Sequence, residues 1–398
     1  LISAVSSGDE LASVLAHELS HVTQRHIARM IAQQGRQGPM VVGAMILGML
    51  AASRTANPSS FSAANAVMVG GSAAAMQSQL NFSRDMEREA DRVGYGVMTE
   101  AGYEPQGFVT MFEKLQQAAR LNDNGSFPYL RSHPMTTERI SDAQARQQLL
   151  PKRGVVPTTP LHAMMAVRAQ VLTKPGVDAL RNLAAQAQAS SFVASPRAKQ
   201  AGVLYGATFA ELAQRNFGEA RQHLSRLQAL GGLDAGAQRV VRLLSAEVAL
   251  AAGDAAQAVA LLESKTTIVA NNDRATRIQL AQSRIATRKP AQGKIAASDL
   301  SLWLNQHPRD ATVWLVQASA FELQGDPLRA IRSQAEARAM ELAYGAAVDR
   351  FKAAQLLAHQ MASEGKLDRA GHMEASIIDA RLRELERLRR EQALERGI

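Results

Sequence analysis

At 398 residues the chain is long enough for two or three domains. Its 46% hydrophobic and 20% charged content excludes wholesale disorder, and its 4% aromatic content favours helix over a sandwich or barrel. It has no cysteine, which excludes disulfides, thiolate zinc sites, iron–sulfur clusters and cysteine nucleophiles and leaves any metal to histidine and carboxylates. The net charge of +9 is uneven: residues 1–150 carry 12 basic and 13 acidic side chains, whereas residues 151–398 carry 33 and 23. No Lys/Arg tract is interleaved with aromatics and Arg alternates with Glu along helical faces, so no nucleic acid partner is expected.

The first predicted helix opens on a capping box, Ser7 with Glu10, and Asp9 adds negative charge to its first turn. Leu11, Val14, Leu15 and Val22 supply an apolar stripe at helical spacing. Next come two uncharged stretches, Pro39–Ala52 and Ala63–Met76, joined by a serine-rich segment containing Pro58. Each is about 14 residues, short of the ~20 needed to cross a bilayer, so 39–76 reads either as a buried helical hairpin or as a membrane-surface hairpin. A second helix is predicted from Ser83 to Met98, a third after Pro105 to about Leu121, and a fourth from the Thr136/Thr137 caps to about Leu149.

Pro151, Pro157 and Pro160 mark residues 151–160 as a linker. Beyond it, similar turn-plus-helix starts close on Ala220, Ala258, Ala330 and Ala370, at intervals of 38, 72 and 40, and Arg288–Gly293 keeps the intermediate place without the alanine. A period of 34–40 built of two helices around a turn resembles tetratricopeptide repeats, giving a repeat domain over 161–398. The last helix, Asp379–Arg396, carries pairs such as Glu386 with Arg390 and reads as a solvated cap.

Chemistry concentrates in His17-Glu18-Leu19-Ser20-His21. On a helix, residues i and i+4 share a face, so both imidazoles can reach one metal ion, with Glu18 beside them to accept a proton from an attacking water. Two histidines leave the ion short of a ligand, and without cysteine the third must be histidine or carboxylate. Glu87 and Asp91 stand at i and i+4 on the second helix, where one face can present Glu87 to the metal and Asp91 behind it to a ligand histidine. Glu89 points to another face, Gly94 and Gly96 permit close helix packing, and His26 lies off the ligand face as a structural residue.

Three motifs now stand in order: SGDELASVLAHELSHVTQRH, SRDMEREADRVG and RSHPMTTERISDA. With the repeats, they resemble the HtpX/CAAX-prenyl-protease class of zinc metallopeptidases, and within it the repeat-bearing, BepA (YfgC)-like proteases of the Gram-negative periplasm. The resemblance implies a mainly α chain: a zincin-type, gluzincin-like metalloprotease domain over 1–150, N-terminally trimmed, then a tetratricopeptide-repeat α-solenoid. It implies Zn2+ held by His17, His21 and Glu87, with Glu18 as general base and acid and Asp91 as the outer partner of a ligand histidine. His133 becomes either a fourth zinc ligand at rest or a stabiliser of the oxyanion, and Arg139 a candidate to steady it. The expected reaction is peptide-bond hydrolysis in quality control of outer-membrane proteins, with unfolded or misassembled outer-membrane proteins and their assembly machinery as partners. The alternative is a chaperone-like repeat scaffold whose zinc site is held shut by His133. Relatives carry a signal peptide and a strand-containing segment before the HExxH helix, of which only Leu1–Val5 is expected here.

Overall fold

A computed structural model of the chain describes residues 2, 4–33, 35, 58–120, 133, 137–148, 158–173, 175–263 and 273–395. The predicted apolar stretch 39–52 and most of the 151–160 linker lie outside these residues. The chain divides into two compact units, one of residues 1–175 and 194–202, the other of residues 176–193 and 203–398. Among the described residues every regular element is helical.

The first unit begins with α1 (Gly8–Thr23), whose Ser7 hydroxyl accepts the Glu10 N–H at 3.1 Å. The capping box closes one residue early, since the Glu10 carboxylate accepts the Ser6 N–H at 2.6 Å and also pairs with Lys114 at 2.6 Å. Glu10 is buried, so this second partner supplies charge balance that water would otherwise give. Asp9 accepts the Glu104 N–H at 3.1 Å and so ties the start of α1 to the chain leading into α3 (Gln106–Arg120).

The second helix is much longer than predicted. α2 runs from Pro58 to Glu100 without a break at Ser83. No proline interrupts residues 59–100, the stretch is rich in alanine, and the Gly70-Gly71 pair costs only about 1 kcal/mol per residue, so nothing local ends it. No described helix is long and apolar enough to cross a membrane. α3, α4 (Thr137–Gln148) and α5 (Pro160–Leu172) complete the unit. Its core joins Val14, Tyr95, Met98, Phe108, Met111, Phe112, Leu115 and Ile140. Within the predicted stripe of α1, Val14 is buried and Leu11 packs on this core, but Leu15 and Val22 are exposed. The buried face is centred instead on Ala12, Ala16 and His17, because α1 meets α2 too closely for larger residues. α5 belongs to this first unit, capped by Thr159 and tied by His162 Nε2 to the Val5 carbonyl at 3.2 Å.

In the second unit α6 (Val177–Ala185) is followed by five hairpins. They pair the part of α7 (Arg197–Ala213) from Val203 onward with α8 (Phe217–Gln228), and α9 (Ala235–Ala251) with α10 (Ala255–Glu263). α11 (Arg274–Ala286) pairs with α12 (Pro290–Gln306), α13 (Ala311–Leu323) with α14 (Pro327–Met340), and α15 (Tyr344–Ser363) with α16 (Arg369–Glu395). From α8 onward each helix packs on the next, and α9, α11 and α13 touch in series. Every hairpin turn contains one left-handed residue, at Arg215, Gly253, Arg288, Gly325 and Gly365. The register is therefore conformational, and glycine fills only three of its five places.

Ala220, Ala258 and Ala330 are buried at helix crossings, but Ala370 is exposed. The missing alanine at 293 has a cause: a Cβ there would sit 3.0 Å from the Ala320 carbonyl oxygen, so only glycine fits without a shift. α16 begins ten residues before the predicted start and is not a purely solvated cap. Ile378, Leu382 and Leu385 pack against Val348 and Phe351, while the Glu386 carboxylate turns to Lys352 at 3.2 Å and leaves Arg390 only its main-chain carbonyl.

Asp310 anchors the middle of this array. It caps α13 through the Val313 N–H at 3.2 Å, takes two bonds from Arg274 at 2.7 and 2.9 Å, and accepts the Trp303 indole N–H at 3.1 Å. The Arg274 guanidinium, foremost, and the Trp303 and Val313 donors hold its carboxyl below the ordinary aspartate range. Asp310→Ala is expected to lower the stability of this unit by about 1–3 kcal/mol. Both tryptophans, Trp303 and Trp314, lie in the unit, so fluorescence during urea unfolding reports it selectively. A depressed folded pKa stabilises fully above the unfolded value and loses that contribution as pH falls through the folded one. The gap between wild type and variant should therefore be greatest near neutrality and shrink in acid.

Candidate metal centre

Two helices build the site by lying almost backbone to backbone. A Cβ on Gly94 would come within 3.0 Å of the Ala16 carbonyl carbon and the His17 nitrogen, whereas one on Gly96 would meet open space. Of the two glycines predicted to permit close packing, Gly94 alone makes the contact. Ser13 and Ser20 turn their hydroxyls back onto the carbonyls of Glu10 and Ala16, both at 2.7 Å, so neither leaves an unsatisfied polar group in this tight face.

His17 and His21 leave α1 on one face, with their Nε2 atoms 3.0 Å apart. Glu87 comes to them from α2: its Oε2 lies 3.5 Å from His17 Nε2 and its Oε1 3.4 Å from His21 Nε2. His133 adds Nδ1, 2.9 Å from Glu87 Oε1 and 3.4 Å from His17 Nε2. These four residues can direct one donor atom each into a cluster whose members all lie within 4.8 Å of one another. A tetrahedral zinc ion with ligands at about 2.0–2.1 Å sets its donors about 3.3 Å apart. These separations, 2.9–3.5 Å, bracket that value, and a set of three imidazoles and one carboxylate suits zinc.

Around the donors the partners are specific. Asp91 Oδ1 lies 2.9 Å from His17 Nδ1. Arg139, buried, donates to both Asp91 oxygens at 2.6 and 2.7 Å, reaches Glu87 Oε2 at 3.0 Å, and lies over the Phe112 ring at 5.1 Å. It thus braces the carboxylates of α2. Glu18, one position along from His17, is half exposed and places Oε1 3.4 Å from His133 Nε2.

Charge is balanced around the metal position. Burial and the neighbouring imidazole of His17 push His21 down to about 4, partly opposed by Glu87, so it offers a neutral ring at physiological pH. For His17, burial alone would lower the pKa, but hydrogen bonds to Asp91 and Glu87 outweigh it and raise the value. Burial would raise Glu87 too; His133, His17 and Arg139 overcome it and hold the group well below the ordinary carboxylate range. Asp91 is lowered in the same way, against its burial, chiefly by Arg139 and then by His17. Without an ion, the carboxylates favour the protonated form of His17, so a cation competes with that proton for the ring.

Two neighbours were not legible as part of this centre. His26 is buried, with Nδ1 2.9 Å from His21 Nδ1 and Nε2 3.2 Å from Glu89 Oε2. Glu89 also receives Arg29 at 2.7 Å. On a continuous helix His26 would stand away from His21, as its spacing suggests. The chain instead leaves α1 after Thr23, turns through Arg25 at a φ of 55°, and resumes helix at His26. Arginine seldom adopts that left-handed conformation, so no residue type announced the turn.

Residues 1–147 match the model of Peptidase family M48. The chain is 34% identical over 174 residues to a putative beta-barrel assembly-enhancing protease of Vibrio cholerae, covering 44% of this chain and 34% of that one. It is 28% identical to the beta-barrel assembly-enhancing protease of Yersinia pestis over 95% of this chain and 72% of the relative. The protease of that name from Escherichia coli K12 is 32% identical over 55% of this chain and 43% of its own length. Thus the chain spans under half the length of the Vibrio and Escherichia relatives.

Metal-free protein given zinc at 100 times its dissociation constant should gain about 2.7 kcal/mol, seen as a rise in the first unit's melting temperature. Elemental analysis should find one zinc per chain, and His17→Ala or Glu87→Ala should abolish both signals. No zinc in wild-type protein would refute the assignment.

Proposed function

We propose that the protein is a zinc endopeptidase whose ion is held by His17, His21 and Glu87, a reading supported by the match of residues 1–147 to the Peptidase family M48 model. The observation that carries this reading is the convergence of four donor groups, all within 4.8 Å of one another, beside Glu18. Zinc in such a site polarises a substrate carbonyl and favours deprotonation of water near neutral pH.

The remaining steps belong to the chain's own residues. Glu18 is the only member of the HExxH set with a carboxylate open to solvent, which suits a group that must meet both water and substrate. It takes a proton from the attacking water as the new C–O bond forms. It then gives that proton to the amine nitrogen as the C–N bond breaks. Asp91 holds His17 with Nε2 inward by accepting from its Nδ1, and Arg139 keeps Asp91 and Glu87 ionised. His133 fills the fourth position of the donor set, a closed arrangement typical of resting or structural zinc rather than working zinc. Substrate therefore has to displace His133, after which its imidazole is placed to donate to the oxyanion.

We assign residues 1–150 to the protease domain and the hairpins from Val203 onward to tetratricopeptide-like repeats that recruit partners; α5, expected within the repeats, belongs to the first unit. We propose that its clients are unfolded or misassembled outer-membrane proteins in the periplasm of a Gram-negative bacterium; the names of the relatives support the part of this reading that concerns beta-barrel assembly. The net +10 of residues 151–398 suits partners with acidic surfaces. The donor position of His133 favours a second role, that of an assembly scaffold whose peptidase is shut at rest.

Glu18→Gln separates the two. The variant is expected to keep one zinc per chain and lose about 10²–10⁴-fold in cleavage of an unfolded outer-membrane protein followed by mass spectrometry. An unchanged cleavage rate would refute the role of Glu18. Assembly of clients undiminished in the variant would show that scaffolding, not hydrolysis, is the main function.

A further inference from the structure

Three acidic residues alternate along α2, Glu87, Glu89 and Asp91. Glu87 faces the metal position and Asp91 stands behind His17. Glu89 lies about 200° around the helix from Glu87, so it cannot touch His21 directly. His26 spans the gap: its Nδ1 meets His21 Nδ1 at 2.9 Å and its Nε2 meets Glu89 Oε2 at 3.2 Å.

We propose that His26 and Glu89 are positioning residues that orient His21 as a zinc ligand, forming a second arm parallel to Asp91 and Arg139 behind His17. The inference rests on the reading of His21 as a ligand. With His21 Nε2 turned to the ion, its Nδ1 carries hydrogen and must donate. His26 can accept only through an unprotonated Nδ1, so its own hydrogen lies on Nε2 and points at Glu89. Each nitrogen in the chain thereby has one permitted state. The carboxylate's pull reaches His21 through the intervening ring, making Nε2 a better donor. Arg29, 2.7 Å from Glu89 and 6.0 Å from the Phe82 ring centroid, fixes the carboxylate as Arg139 fixes Asp91. A merely structural histidine would need neither this nitrogen-to-nitrogen approach nor a braced carboxylate at its far side. Burial of His26, at 2% exposure, keeps water from substituting for its contact with His21.

The test compares wild type, His26→Phe, His26→Gln and Glu89→Gln by competition for zinc against a chromophoric chelator, with melting temperatures of the metal-free proteins alongside. Phenylalanine keeps a ring but leaves the His21 N–H unpaired. Glutamine can accept that N–H and still donate to Glu89. His26→Phe is expected to weaken zinc binding 10–100-fold, His26→Gln to stay within about threefold of wild type, and Glu89→Gln to fall between them.

Wild-type affinity in His26→Phe, or equal losses in both His26 variants, would overturn the proposal. So would lowered metal-free melting temperatures in both with unchanged affinity in the folded protein. Should His26→Phe fail to fold, Glu89→Gln decides: an unchanged zinc affinity overturns the relay. His21→Ala is the control for the underlying site. If it binds zinc like wild type, the ligand assignment itself fails, a result distinct from normal zinc loss in His21→Ala with no effect at His26.

Discussion

The approach of α1 to α2 at Gly94 sets the geometry on which the first unit depends. With no side chain there, the backbone of α2 lies against Ala16 and His17, and Glu87, two turns earlier, comes level with the paired imidazoles. A methyl group at that crossing would press on the peptide that carries a metal donor. The same closeness explains the small residues Ala12 and Ala16 on the buried face of α1, while Leu15 and Val22, about a quarter-turn round the helix, are exposed. Packing here serves donor placement first, and the larger hydrophobics gather further along, around Phe108, Phe112 and Met98.

Such closeness brings charges together away from water, and the site is stable only because each has a named partner. Glu87 is buried and Asp91 half-buried against Arg139, and both carboxylates in turn face His17. A buried carboxylate that lost Arg139 would face a desolvation cost of several kcal/mol with little return. The guanidinium thus does two jobs with one geometry: it keeps both acids ionised and holds them at fixed angles to the imidazoles. A metal ion adds the positive charge that three imidazoles and two carboxylates are arranged to receive.

The second unit solves a different problem with repetition. One left-handed residue per hairpin reverses the chain, and in four of the five hairpins a small buried residue, Ala220, Ala258, Gly293 or Ala330, lets the helices touch. Aspartates at 234, 273, 310 and 326 cap helix starts by accepting main-chain N–H groups. Ion pairs such as Arg381 with the buried Glu336, at 2.7 Å, join helices two places apart.

Helical periodicity alone determined much of this protein. The i and i+4 placement of His17 with His21 and of Glu87 with Asp91, the helix starts at Ser7 and Pro105, and the recurrent turns near 216, 253, 288, 325 and 365 are all local consequences of chain geometry. Contacts between elements were not so written. The distance between His133 and Glu87, the choice of Gly94 over Gly96, the turning of Glu10 to Lys114 and the return of His26 onto His21 have no fixed sequence spacing. Spacing fixes which residues share a face of one helix; which face meets which neighbour follows from packing the whole unit. That is why the candidate donors on α1 and α2 stand out in the sequence, while the contact of His26 with His21 required the tertiary fold.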